Sequence, residues 1–306
     1  MTTPKDPPNT PPENEVAEVT EAPKQELVKP KVLKPIRSTL KTVDIELGCG
    51  LVHENKVHRI ITVQSATVGD RKAFGAKQNR SNGSKMITEL LQSKSIDAPG
   101  ASFNLSGRWF QHEMLGFDRD QLCYEIRKAT VGEKPFDEEV NCAHCGIPNH
   151  ALVKVAEIEE TFRPMPDEVR LNIERGKCVH KVELPEYGFT GVFAYSDGRS
   201  QEQLAEKVSE DGNPFETELE VISDMCLDFN GDGPITVEEL TELDIEFLND
   251  LQAEIQTHDY GYDFSPPVYC WKCKKPTIVR VNVLDFLFEG TKALITSVKR
   301  PKTLKG

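Results

Sequence analysis

The sequence predicts an α+β fold of two pseudo-repeated halves that share one metal site. Three observations predict it: a C-x-x-C pair in each half, an order of strand and helix patterns that recurs around each pair, and a proline-rich leader unlike the rest. The leader, residues 1–41, holds Pro4, Pro7, Pro8, Pro11, Pro12, Pro23, Pro30 and Pro35 among Lys, Glu and Thr. So little apolar surface cannot offset chain entropy, and a disordered arm is expected there.

The first half, residues 42–160, opens on a hairpin of Val43–Leu47 and Val57–Val63, turning through Gly48, Gly50, His53 and Asn55. A short helix from about Thr67 and an apolar stripe of Met86, Leu90 and Leu91 follow. Beyond a loop with Pro99 and Gly100, Asp118 is placed to cap a helix over Arg119–Ala129 that buries Leu122 and Ile126. Strands Phe136–Val140 and His150–Val155 flank the first cysteine pair. The second half, residues 161–290, repeats this order. It runs through strands Val179–Leu184 and Gly191–Tyr195, helices from about Gln201 and Glu216, a long helix from Val237, the second pair, and a strand Ile278–Val283. Residues 291–306 form a basic tail.

Cys142-Ala143-His144-Cys145-Gly146 and Cys270-Trp271-Lys272-Cys273 share one spacing, whereas Cys49, Cys123, Cys178 and Cys226 stand alone. Two thiolates separated by two residues can face one tetrahedral ion because the chain turns sharply between them, and Gly146 relieves that turn. Cys142, Cys145, Cys270 and Cys273 together complete a zinc-ribbon-like shell. With no open position for water or substrate, the zinc is structural and its binding energy is folding energy. A redox C-x-x-C belongs between a strand and a helix N-terminus, which neither flank resembles. His144 and His150 stay outside the shell, because four sulfurs already fill it. Cys123 and Cys226 fall on apolar helix faces and read as small buried hydrophobes.

Asp228-Phe229-Asn230-Gly231-Asp232-Gly233-Pro234-Ile235-Thr236-Val237-Glu238-Glu239 follows the twelve-residue EF-hand pattern. Asp228, Asn230 and Asp232 would supply side-chain oxygens to calcium, Pro234 its carbonyl, Thr236 a water-bridged contact and Glu239 a bidentate carboxylate, with Gly233 at the sharp turn. A single loop of this kind is unusual, since EF-hands come in pairs, and an acidic glycine-rich turn between helices reads equally as a plain connection.

The acidic excess behind the net charge of -13 falls on the folded part and is densest between Glu202 and Glu254, where Lys207 is the only cation. Such a surface repels phosphate backbones, so no nucleic acid is expected as a partner. No run of about 18 apolar residues and no basic-then-apolar leader occurs, so neither a membrane nor export is expected, and the protein is expected to stay where it is made. P-loop, G-x-G-x-x-G, H-E-x-x-H and G-x-S-x-G patterns are absent from the sequence, and no catalytic residue is assigned.

Laid out in this order, the chain resembles the baseplate hub subunit and hub assembly chaperone family of T-even-like contractile-tailed phages. The resemblance rests on His58-Arg59-Ile60-Ile61-Thr62-Val63, Phe117-Asp118-Arg119-Asp120-Gln121-Leu122, Ile126-Arg127-Lys128-Ala129-Thr130-Val131-Gly132 and the first cysteine pair. Val182-Glu183-Leu184-Pro185 with Gly188, the second pair and Asp285-Phe286-Leu287-Phe288 extend it over roughly residues 42 to 290. Gly48-Cys49-Gly50 and the calcium-like loop depart from the family pattern. The resemblance implies a non-enzymatic protein of phage tail assembly, in the host cytoplasm or the virion baseplate, whose partners are other hub or tail proteins. Two other classes fit parts of the sequence: a nucleic-acid-binding zinc-ribbon protein, favoured by Lys272, Lys274 and Lys275, and a calcium-binding regulatory protein.

Overall fold

The computed structural model describes residues 40–53, 56–74, 83–101, 105, 108–208, 214–279, 281 and 283–288. The expected arm up to residue 39 and the tail 291–306 lie outside the described residues. The fold is mixed α+β, and no helix among the described residues is long and apolar enough to cross a membrane.

Alternating burial defines the first hairpin. In β1 (Thr42–His53), Ile45, Leu47, Cys49 and Leu51 turn inward, and β2 (Lys56–Gln64) pairs with it antiparallel. Gly48-Cys49-Gly50, expected as the turn, lies inside β1 as an irregularity where the register shifts between Glu46 and Leu51. The reason is tertiary. Asp118 accepts hydrogen bonds from the Cys49 and Gly50 amides (3.1 and 2.9 Å) and Gln121 from the Gly48 amide (3.2 Å), so amides lifted off the ladder are satisfied by a helix. Gly50, at φ 80°, has no room for a Cβ against Val57, His58 and Arg59.

Beyond α1 (Val68–Phe74) and α2 (Gly83–Lys94), β3 (Ser95–Asp97) adds to β2 as a third antiparallel strand. After α3 (Arg108–Glu113), α4 (Gly116–Val131) crosses the sheet. It begins with Leu115 at its N-cap, so Asp118 does not cap it as expected; its carboxylate is spent on β1 instead. Leu90, Leu91, Phe110, Leu122, Tyr124 and Ile126 then pack with the buried face of the hairpin. The antiparallel pair β4 (Phe136–Asn141) and β5 (Pro148–Val153) carries the first cysteines at its tip, and α5 (Val155–Glu159) and α6 (Asp167–Glu174) lead on.

A second three-stranded sheet follows. β6 (Val179–Leu184) and β7 (Phe189–Ala194) form a hairpin; after α7 (Gly198–Val208) and α8 (Pro214–Met225), β8 (Cys226–Phe229) joins β7 antiparallel. Cys226, expected on a helix, is the first residue of this strand and is buried. The long helix expected from Val237 is two: α9 (Val237–Thr241) stops, and Asp244 caps α10 (Ile245–Thr257) by accepting from the Glu246 amide (2.8 Å). Val182, Phe193, Leu219, Leu240, Leu248 and Leu251 form its core.

The last hairpin, β9 (Pro267–Tyr269) with β10 (Pro276–Ile278), carries the second cysteines. The strand expected over Ile278–Val283 ends at Ile278, and Val283–Leu287 coils into helix α11. Val279, Val281 and Phe286 are buried in the core of the first half, where Phe286 packs edge-on against Phe136 (5.4 Å) and Phe264 (5.2 Å). A run apolar at nearly every position serves a helix and a buried extended segment alike, and the contacts of the first core decide between them here.

Candidate metal centre

Both cysteine pairs lie at the tips of two-stranded hairpins, and both tips close with the same hydrogen bonds. The Cys142 amide donates to Ile147 O (3.0 Å) and Gly146 N to Cys142 O (2.8 Å); the Cys270 amide donates to Lys275 O (3.0 Å) and Lys274 N to Cys270 O (2.9 Å). The residue four places after the first cysteine takes the left-handed conformation in each, Gly146 at φ 67° and Lys274 at φ 61°. Glycine adopts it without strain; lysine does so at a cost of roughly 1–2 kcal/mol. The requirement for a sharp turn is therefore common to both tips, although only one sequence advertises it.

The four sulfurs meet. Cys142, Cys145, Cys270 and Cys273 bring their ligand atoms within 4.8 Å of one another, with Cys142–Cys273 and Cys145–Cys270 sulfurs each 3.6 Å apart. All are free thiols. A tetrahedral zinc with sulfur bonds of ~2.3 Å spaces its sulfurs by about 3.8 Å. The set thus fits a tetrahedral metal ion closely, and among the described residues it is the one group of three or more His, Cys, Asp or Glu ligands gathered so tightly.

Electrostatics argue the same fit. The Thr277 hydroxyl beside Cys142 (3.6 Å), helped by the His144 amide (3.4 Å), brings that thiol down to about 6. At Cys145 the Ile147 amide favours the thiolate, but burial and the neighbouring sulfurs outweigh it and push the thiol up to about 11. Amides of Cys273 and Lys272 lower Cys270. Four sulfurs this close cannot all ionise alone; a divalent cation removes the conflict.

Contacts between the tips fix the arrangement from outside. Trp271 N donates to Asn149 Oδ1 (3.2 Å), Trp271 Nε1 to Pro148 O (3.4 Å) and His144 Nε2 to Pro276 O (3.1 Å). Asn149 and Thr277, both buried, belong to no motif in the sequence; a polar residue just beyond each cysteine pair is the only signal that marks them. His144 is thus occupied away from the sulfurs, and His150 is exposed beside Asp137 and Glu139.

The twelve-residue loop is placed differently. Asp228, next to last in β8, accepts from the Gly231 and Gly233 amides (3.2 and 3.1 Å), while Asn230, Gly231 and Gly233 all have positive φ. Thr236 caps α9, and Glu239 turns back to accept from the Thr236 amide (2.8 Å) and hydroxyl (3.0 Å), which lowers its pKa. Asp228, Asp232 and Glu239 are not gathered as the cysteines are. The solitary Cys49, Cys123, Cys178 and Cys226 have thiols raised by burial, which makes them poor nucleophiles. Compared with protein-family models, curated proteins and solved structures, the chain finds no match.

Proposed function

We propose that this chain is a non-enzymatic assembly protein of a contractile phage tail, a baseplate hub subunit or hub assembly chaperone, braced by one structural zinc. The observation that carries the structural role is the closed set of four sulfurs drawn from hairpin tips more than 120 residues apart, the Cys145–Cys270 separation being 125. A metal held by four thiolates has no vacant position for chemistry, so its work is to lock distant parts of the chain together. The tail assignment rests on the sequence resemblance over residues 42 to 290.

Two features support a duplicated unit. Each half has a hairpin whose second strand takes on a third antiparallel strand after intervening helices, β1-β2-β3 and β6-β7-β8. Each then ends in a cysteine-tipped hairpin with the same closing bonds. On this reading each copy contributes half of the zinc-ribbon-like site.

Co-expression with hub proteins of contractile-tailed phages tests the assignment. A stoichiometric complex with a hub component is expected; binding to none of them, together with salt-sensitive DNA binding in a gel shift, would favour a nucleic-acid-binding zinc ribbon. A second reading, calcium uptake, is favoured by the Asp228 carboxylate, which turns the loop back on itself through the Gly231 and Gly233 amides. Calorimetry would detect it as heat lost in Glu239→Gln; no heat at millimolar calcium would remove it.

A further inference from the structure

Away from the cysteines, a cavity of about 860 Å³ opens between the start of α4, the β6–β7 hairpin, α8, α10 and the segment that follows α10. Its described lining is mostly acidic. Among the described residues, Asp120, Glu218, Asp259 and Asp263 contribute four carboxylates to the lining, whereas Arg163 is the one lysine or arginine, and its guanidinium donates to Gln256 O (3.2 Å). No hydrogen bond or ion pair reaches the Asp120 side chain among the described residues; the adjacent Arg119 is turned to Gln111 O and Thr88. Phe117, Tyr195, Tyr260 and Tyr262 add aromatic rings, and Val221, Ile222 and Met225 an apolar wall.

His180 supplies an independent observation. It lines the cavity at 7% exposure, stacked on His258 with ring centres 4.5 Å apart, and neither of its ring nitrogens has a hydrogen-bond partner. Burial and the neighbouring His258 keep it uncharged, its pKa down at about 4. A neutral imidazole offers one donor and one acceptor, and buried groups of this kind are nearly always paired.

We infer that this cavity is a recognition pocket for an arginine or lysine side chain presented by a partner protein. Carboxylates facing aromatic rings in a partly desolvated site are the surroundings a guanidinium or ammonium group prefers. The apolar wall suits the aliphatic stem of such a residue. A peptide can supply both a carbonyl and an N–H to the enclosed His180 nitrogens once the ring turns toward the cavity, which a free polyamine, having donors alone, cannot. Burial holds Asp120 near pH 7 for protonation, and an arriving cation would complete that site by favouring its charged form. The inference goes beyond the tail assignment and does not depend on it.

The test uses the full, zinc-loaded chain and the imidazole Cε1–H resonances of His180 and His258, identified by their loss in His180→Gln and His258→Gln. Acetyl-Gly-Arg-Gly-amide should shift both saturably, and the citrulline peptide, equal in shape but uncharged, should bind about tenfold more weakly. Asp120→Asn and the exposed-rim variant Glu218→Gln should each weaken the arginine peptide while zinc content and circular dichroism stay unchanged. Equal binding of arginine and citrulline peptides, tighter binding of spermidine than of the arginine peptide, or no saturable shift would overturn the inference.

Discussion

Breaking one side of the cysteine cluster should cost the protein a third or more of its stability. In Cys270→Ser/Cys273→Ser the cross-link between hairpin tips is lost, and with it the constraint on a loop spanning 125 residues from Cys145 to Cys270. The ion binds the folded arrangement and leaves the unfolded chain unconstrained, so what is lost is its binding free energy, at least about 5 kcal/mol for a structural zinc site. A domain of ordinary stability has only about 5–15 kcal/mol in total. Urea unfolding of the zinc-loaded wild type against the double variant should therefore show a loss of at least about 5 kcal/mol. Wild type stripped by a chelator should fall to the level of the variant, and the variant should not respond to chelator at all. A loss below about 1 kcal/mol, or a chelator effect that persists in the variant, would refute the reasoning, because the metal would then lie elsewhere or join segments already held together.

Lys274→Gly should stabilise by about 1 kcal/mol and Gly146→Ala destabilise by a similar amount, since both positions have left-handed φ at equivalent points of the two tips; thermal unfolding of the zinc form checks both. Gly198→Ala should cost about 3 kcal/mol in chemical unfolding, because its Cβ would collide with the Gln111 carbonyl and the Arg119 guanidinium that donates to it. His180 is held neutral in the fold, with its pKa lowered to about 4 by burial and His258. The unfolded histidine takes up a proton near pH 6.5 and the folded one only near 4, so stability present above 6.5 declines as pH falls toward 4, by up to about 3 kcal/mol. His180→Gln should flatten that part of the urea-unfolding profile relative to wild type; an unchanged slope would contradict it.

The cysteine cluster was legible because its signal is local: each pair needs only its own spacing and a turn, and four thiols complete a tetrahedral set whatever lies between. The strand patterns of β6 and β7 were legible for a similar reason, since alternation of buried and exposed residues is written into six consecutive positions. Long-range choices were hidden. Nothing near Asp118 in the sequence shows that its carboxylate serves amides of β1, and a serviceable helix-capping pattern pointed the wrong way. Asp244, by contrast, is a readable cap between α9 and α10, obscured by the apolar period that runs through both. The run from Ile278 carried no period that separates strand from helix, and packing of Phe286 in the distant first core decided it. The acidic cavity was hidden most completely: Asp120, His180, Glu218 and Asp263 come from three elements and a connecting segment and share no motif.

X-ray absorption at the zinc edge, combined with metal analysis of the purified chain, tests the central claim most directly. One zinc per chain with four sulfur neighbours at ~2.3 Å is the expected result. Nitrogen or oxygen in the first coordination sphere, two metals per chain, or a folded chain that takes up none would contradict it.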